Sequence, residues 1–155
     1  MPLNGSNTNR AQELTRELTV QILQLNRFEI VDHYKVATLV EDEGLEGIDL
    51  SDTLVKNIAR KLQADAILLG EVTNFQEPES PYPLLRKPPF IGLSLRIVSI
   101  NQTMPMTIWS LNDTFDSRDR QVKQYVKRSE RRRLSTDPYF LIQIVAKEIA
   151  KTFAF

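Results

Sequence analysis

The sequence predicts an α/β fold in which a mixed sheet is covered by helices and ends in an antiparallel hairpin followed by two C-terminal helices. Apolar residues recur at helical spacing over residues 11–25 and 141–153, and strand-like runs occupy residues 65–75 and 91–115. The chain has 155 residues, of which 41% are hydrophobic and 26% are charged. These values fit a single globular domain, which we place at residues 1–155.

Three helices are predicted in the first part of the chain. The first spans about residues 10–26, with Asn9 as its N-cap. The second is short and ends at Gly44, because glycine readily adopts the left-handed conformation that follows a helix. Asp49 or Ser51 caps the third. The buried face of this third helix consists of Leu54, Val55, Ile58 and Leu62.

Four segments carry strand patterns. Residues 28–31 (FEIV) predict a short strand, and residues 65–75 give the strongest strand signal in the chain. The continuous apolar run at residues 66–69 predicts a central strand that is covered on both faces. Residues 91–100 alternate between apolar and polar side chains, and with residues 106–115, which contain Trp109, they predict an antiparallel hairpin. Trp109 itself is expected in the core.

A proline-rich segment separates the strongest strand from this hairpin. Residues 76–90 hold five prolines, which excludes a central strand or a helix interior. We predict a long exposed loop. Because prolines reduce the entropy lost on ordering, such a loop can present apolar groups to a partner. The alternative is that its apolar residues and Phe90 fold back over the sheet edge. The contact candidates in this loop are Tyr82, Leu84, Leu85, Arg86 and Lys87.

The C-terminal part is predicted to form two helices. Asp116 caps the first, which runs to about Arg133, and Asp137 with Pro138 begins the second. Residues 118–133 hold eight basic and two acidic side chains. Such a stretch is either a solvated face or a surface for an acidic protein, an anionic membrane or a nucleic acid. Its contact candidates are Lys123, Lys127, Arg128, Arg131, Arg132 and Arg133.

Several kinds of chemistry are absent from the sequence. There is no cysteine, so disulfides, zinc–thiolate sites and thiol nucleophiles are excluded. His33 is the single histidine, and no Gly-x-Ser-x-Gly motif accompanies it. The acidic residues between Glu41 and Asp52 lack the spacing of a calcium loop. We therefore expect no catalytic, cofactor-binding or metal site. The alternative is an enzyme that uses acidic residues near Glu71 or Asp113.

Four stretches of the sequence resemble a known bacterial superfamily. They are PLNGS before the first helix, RFEIVDHYKVATLVEDEGL, LVKNIARKLQADAILLGEVTNF, and the pair GLSLRIVSI and MTIWSLNDTFDS. Together they resemble the superfamily of the curli secretion lipoprotein CsgG, the penicillin-binding-protein activator LpoB and the TolB N-terminal domain. The resemblance covers residues 2–118 as a family-like core, and the two C-terminal helices are predicted at residues 116–155. It concerns positions that specify a fold more than a function.

The resemblance implies a periplasmic, outer-membrane-associated module that binds protein partners, forms oligomers in the channel-forming branch, and uses no cofactor. The family's usual first strand, of the type VAVLPF, is missing here, since only Met1-Pro2-Leu3 precedes the first helix. We expect a signal peptide and a lipid-acceptor cysteine upstream. Nothing in the chain corresponds to the membrane-inserting hairpins of the curli channel.

The sequence therefore predicts a non-enzymatic accessory or assembly protein of the bacterial cell envelope that binds another protein. The alternative is a module that binds nucleic acid or an anionic surface through the basic helix at residues 118–133. Lysine plus arginine equals aspartate plus glutamate at 20 each, so the overall charge favours no polyanionic partner. Nucleic acid therefore ranks below a protein.

Overall fold

The computed structural model describes residues 5–42, 44, 50–77, 88–101 and 103–153, with side chains from residue 9 onward. This part of the chain is α/β, as predicted, with a three-stranded antiparallel sheet in the order β1-β2-β3. In chain order the elements are α1 (Gly5–Gln24), α2 (His33–Asp42), α3 (Asp52–Leu62), β1 (Ala66–Gln76), β2 (Phe90–Ser99), β3 (Met106–Asp116), α4 (Arg120–Lys123), a 3₁₀ turn (Arg128–Glu130), α5 (Arg131–Thr136) and α6 (Pro138–Lys151).

The register of the sheet is defined at both ends of β2. The Ile100 amide donates to the Asp65 carbonyl at 2.9 Å, and the Ser117 amide donates to the Pro89 carbonyl at 3.0 Å. Between these ends, a Cβ on Gly92 would lie 2.7 Å from Thr73 Oγ1 and 3.4 Å from Thr114 Oγ1. The two threonines of the outer strands therefore cover Gly92, where β2 has no side chain of its own.

The predicted hairpin is confirmed, whereas three predictions about the sheet are wrong. β1 is an edge strand, and the sheet has no parallel pair within the described residues. A run of apolar residues at 66–69 indicated cover on both faces, yet Leu68 is 37% exposed. Residues 28–31 form no strand. An extended segment becomes a strand only when another strand offers its backbone groups, and this local pattern carried no information about a partner.

Helix ends follow the predicted caps in most places. The Ser51 hydroxyl accepts from the Leu54 amide at 3.3 Å, and Gly44 has the expected positive φ of 58°. Asn9 is not the N-cap of α1, because this helix begins at Gly5. In the second turn of α1, the Arg10 guanidinium donates to Glu77 at 2.6 Å and lies over the Phe75 ring.

The chain forms two compact units, and the three strands contribute residues to both. In the described part of the chain, the first unit comprises Glu29–Glu71 and Leu93–Asn112. Its core includes Leu93 of β2 and Val55, Ile58 and Ala59 of α3. The predicted core residues Leu54 and Leu62 of α3 are half-buried instead. The second unit comprises residues up to Phe28, then Val72–Gly92 and Asp113–Phe155.

The core of the second unit is built around α6. Asp137 caps this helix and accepts from the Tyr139 and Phe140 amides, and Pro138 occupies its first turn, as predicted. α1 packs against α6 and contributes the buried Leu14 and Leu18. The predicted core residues of α6 are all buried, and they are Leu141, Ile144, Val145, Ile149 and, just beyond the helix, Phe153.

Candidate binding surface

The basic segment, defined as residues 118–133, connects β3 to α6 within the second unit. The prediction of one continuous helix capped by Asp116 is wrong. α4 ends at Lys123, a 3₁₀ turn spans Arg128–Glu130, and α5 begins at Arg131. A continuous helix would stack like charges on neighbouring turns, which disfavours it. The bend between Gln124 and Lys127 also allows two short helices to contact α6.

Apolar side chains hold the basic segment against the rest of the second unit. Val122 is fully buried, Val126 is buried in the bend, and Leu134 is buried just beyond Arg133. Because these anchors take up the inner side, most of the cations point to solvent. Lys123 is half-buried, and the exposed cations are Arg118, Arg120, Lys127, Arg128, Arg131, Arg132 and Arg133.

An ion pair stands at the beginning of the segment. Arg118 donates from Nε to Asp116 Oδ1 at 3.0 Å and from Nη2 to Oδ2 at 2.9 Å. This two-point contact fixes the plane of the guanidinium. It also lowers the pKa of the Asp116 carboxyl below its ordinary value, chiefly through the hydrogen bond from Arg118. The Asp116 amide in turn donates to Asp119 Oδ2 at 2.9 Å.

An open depression of about 410 Å³ lies beside this ion pair. Its lining residues come from the β3–α4 turn, α4 and α5, and they are Arg118, Arg120, Lys123, Gln124 and Arg131. Four of the five are cationic, and no acidic side chain belongs to the lining. Among the described residues, neither Arg120 nor Arg131 takes part in a salt bridge. Such a surface attracts an anionic group.

The predicted contact residues of the segment do not all reach this depression. Lys123 and Arg131 line it, whereas Lys127, Arg128, Arg132 and Arg133 do not. Arg133 is engaged at the start of α6, where its guanidinium lies 4.4 Å from the centre of the Phe140 ring and its Nε donates to Asp137 at 3.3 Å.

Arg118 and Arg120 were absent from the predicted contacts although they line the depression. On a continuous helix, Arg120 and Arg131 would lie roughly 16 Å apart along the axis, at about 1.5 Å per residue. The bend brings them to one depression. Clustering of cations was visible in the sequence, but no local pattern indicated where the helix would break.

Tyr125, the one aromatic residue in the basic segment, faces α6. Its hydroxyl donates to Glu148 at 2.6 Å, and Lys151 Nζ lies 4.2 Å from the centre of its ring. Burial, and next the hydrogen bond to Glu148, raise the pKa of the Tyr125 phenol. Gln124 also donates to Glu148. Because Tyr125 is engaged in this way, it does not offer a free stacking platform for a base.

The remaining candidates gain little support from their positions. His33 is exposed at the beginning of α2, Glu71 is half-buried on β1, and Asp113 is exposed on β3. Trp109 is half-buried instead of lying in the core.

The described residues include no cluster of histidine and acidic side chains suited to a metal ion. The proline-rich contact candidates Tyr82, Leu84, Leu85, Arg86 and Lys87 lie outside the described residues, as does Asp49.

Among the helices that the structure describes, none combines the length and apolar character needed to cross a membrane. Comparison with protein-family models, curated proteins and solved structures gives no match.

Proposed function

We propose that this protein is a non-enzymatic binding protein that recruits another protein through the basic segment, as an accessory or assembly factor of the bacterial cell envelope. One observation carries the binding proposal: seven of the eight cations of this segment are exposed, and four of the eight line a common depression without an acidic residue. The envelope location is supported only by the likeness of residues 2–118 to the CsgG, LpoB and TolB superfamily. An outer-membrane attachment through an upstream lipid belongs to the same proposal.

The partner that fits this surface is a protein segment rich in aspartate and glutamate. Arginine predominates in the basic segment, and its planar guanidinium pairs with carboxylates in two-point contacts. The Arg118–Asp116 pair already uses this geometry within the chain. Exposed cations also accelerate association with an acidic partner, because long-range attraction guides the encounter. Since the whole chain carries no net charge, this attraction is confined to one region.

Nucleic acid is the less suitable partner. Binding to single strands combines a cationic groove with aromatic platforms, and Tyr125 is occupied by Glu148 and Lys151. An anionic membrane surface requires an apolar face beside the cations for firm attachment. The apolar residues of the basic segment, Val122 and Val126, are buried instead.

The test is a binding measurement with a labelled acidic peptide of alternating Glu and Gly, by fluorescence anisotropy at several salt concentrations. The variant Lys127→Glu/Arg128→Glu/Arg132→Glu reverses three exposed charges outside the depression. Its control, Lys35→Glu/Arg60→Glu/Lys147→Glu, reverses three exposed charges on α2, α3 and α6. We expect the peptide to bind the natural chain and the control alike and to lose affinity for the first variant.

Two further probes decide between the partner classes. A single-stranded oligonucleotide and vesicles containing an anionic lipid are titrated under the same conditions. Preference for the oligonucleotide, with an affinity that falls steeply as salt increases, would replace the protein partner by a nucleic acid. Preference for the vesicles would replace it by a membrane surface. Equal peptide affinity in both charge-reversal variants would remove the basic segment from the function.

A further inference from the structure

We infer that the depression lined by Arg118, Arg120, Lys123 and Arg131 is a binding site for a phosphate monoester group. The inference goes beyond recruitment of an acidic protein, because it assigns a compact ligand to one part of the basic segment. Its source is either a soluble phosphorylated molecule or a lipid headgroup with a terminal phosphate. The shared chemistry is a tetrahedral oxyanion that carries nearly two negative charges and three accepting oxygens at neutral pH.

The number of cations favours this group over a single carboxylate. One arginine satisfies both oxygens of a carboxylate, and its single charge leaves further cations unpaired. Here three guanidinium groups and one ammonium line the same depression. Of these four cations, Arg118 alone has an ion pair with another described residue. A phosphate monoester brings nearly two negative charges and three accepting oxygens, so it pairs with more of the three remaining cations than a carboxylate does.

The geometry of the site is partly set before a ligand arrives. Asp116 holds the Arg118 guanidinium through two hydrogen bonds, and Gln124 is held by its hydrogen bond to Glu148 at 3.1 Å. Lys123 is half-buried beside the anchor Val122. Groups that are already ordered lose less entropy on binding, so they contribute more of their attraction to affinity.

The size of the depression also fits a phosphate with part of the molecule that carries it. Small-molecule sites commonly measure about 300–1,000 Å³, and this depression measures about 410 Å³. Its open form leaves the rest of a ligand in solvent. A headgroup at a bilayer surface and a soluble phosphate monoester therefore meet the same cations.

The experiment measures binding of glycerol phosphate by calorimetry and the shift in melting temperature that it causes. Dimethyl phosphate, a diester with one negative charge, is the matched ligand, and sodium chloride at equal ionic strength is the salt control. We expect the monoester alone to raise the melting temperature, since a ligand that binds the folded state stabilises it. Its affinity should fall as pH drops below about 6, where the monoester takes up a proton.

Variants then locate the site. Arg120→Gln/Arg131→Gln removes two cations from the lining, and we expect about a tenfold or greater loss of affinity for glycerol phosphate. Arg16→Gln/Lys147→Gln removes two exposed cations of α1 and α6 and should leave the affinity unchanged. Equal loss in both variants, equal binding of monoester and diester, or an affinity indifferent to pH would overturn the inference.

A vesicle arm identifies the source of the phosphate. Vesicles containing phosphatidic acid present a monoester, whereas those containing phosphatidylglycerol present a diester. Binding to phosphatidic acid together with glycerol phosphate supports the group chemistry in both sources, and equal binding to the two lipids contradicts it. The acidic-peptide titration tests the proposed function independently of this site. Loss of phosphate binding with retained peptide binding would overturn only the phosphate site, and loss of peptide binding with retained phosphate binding would overturn only the proposed function.

Discussion

Tyr139, in the first turn of α6, donates a hydrogen bond from its phenol to the carboxylate of Glu17 on α1, which stands 122 positions earlier in the sequence. The two helices belong to the same compact unit and pack against each other through buried leucines and branched residues. The bond therefore joins the beginning and the end of the chain at the edge of an apolar contact.

This hydrogen bond predicts a loss of stability in alkali. It raises the pKa of the Tyr139 phenol, with desolvation acting in the same direction. A group whose pKa is raised by folding contributes stability below its unfolded value, and that contribution is lost as pH rises through its folded value. Tyr139→Phe should therefore melt at a lower temperature at about pH 8, with the difference narrowing by about pH 11.

Tyr34→Phe is the matched control for this measurement, because Tyr34 is 79% exposed on α2. It should leave the melting temperature unchanged at both pH values. If the melting temperatures of Tyr139→Phe and the natural chain differ by the same amount across this pH range, titration of the phenol does not contribute to the pH dependence of stability.

Leu141→Ala tests the core of the second unit. Leu141 is 0% exposed, so its truncation removes apolar burial and leaves a cavity between packed helices. We expect the free energy of unfolding to fall by about 2–5 kcal/mol, measured by urea denaturation. Leu23→Ala is the same change at a residue that is 49% exposed on α1, and it should cost less than about 0.5 kcal/mol. Equal costs would contradict the described packing.

The cap of α6 gives a third prediction. Asp137 accepts from the Tyr139 amide at 3.1 Å and from the Phe140 amide at 3.4 Å. Asp137→Ala leaves both donors without this acceptor and should lower the free energy of unfolding by about 0.5–2 kcal/mol. Asp137→Asn keeps a capping oxygen and should retain most of the stability, although it loses the exposed ion pair with Arg133. If both variants lose the same amount, the ion pair and not the cap is responsible.

Acid should weaken the fold through Asp116. Its pKa is lowered by the hydrogen bond from Arg118, so its contribution to stability is present above the unfolded value and is lost as pH falls through the folded value. We expect Asp116→Asn to be less stable than the natural chain near neutral pH and nearly equal to it at about pH 2. Thermal unfolding across this range measures the effect.

The control for Asp116 is Asp65→Asn, which changes an exposed aspartate just before β1. It should follow the pH dependence of the natural chain. If the melting temperatures of Asp116→Asn and the natural chain differ by the same amount down to pH 2, titration of this carboxyl is not the cause of the loss of stability in acid.

Local sequence patterns were sufficient for α3, α6 and the β2–β3 hairpin. Ser51 and Asp137 each cap the helix that follows within three residues, and the apolar spacing of α6 repeats over one short stretch. Alternation along residues 91–100 predicts Ile91, Leu93, Leu95 and Ile97 on one face. The first three are buried, whereas Ile97 is half-buried. The physical causes of these elements lie between near neighbours in the chain, which is why the sequence displays them.

Contacts between distant residues decided the rest. β1 lies at the edge of the sheet, with Gly70 opposite Leu95, and nothing in its apolar run indicates which neighbour it lacks. The cations of residues 118–133 were evident from the sequence, but their depression exists because the helix breaks and α4 and α5 both contact α6. Local patterns of residues indicate which segments are apolar or charged and where most of the helices lie. Which of these segments meet depends on the free energy of burying residues far apart in the chain against one another, so it is settled by the fold as a whole.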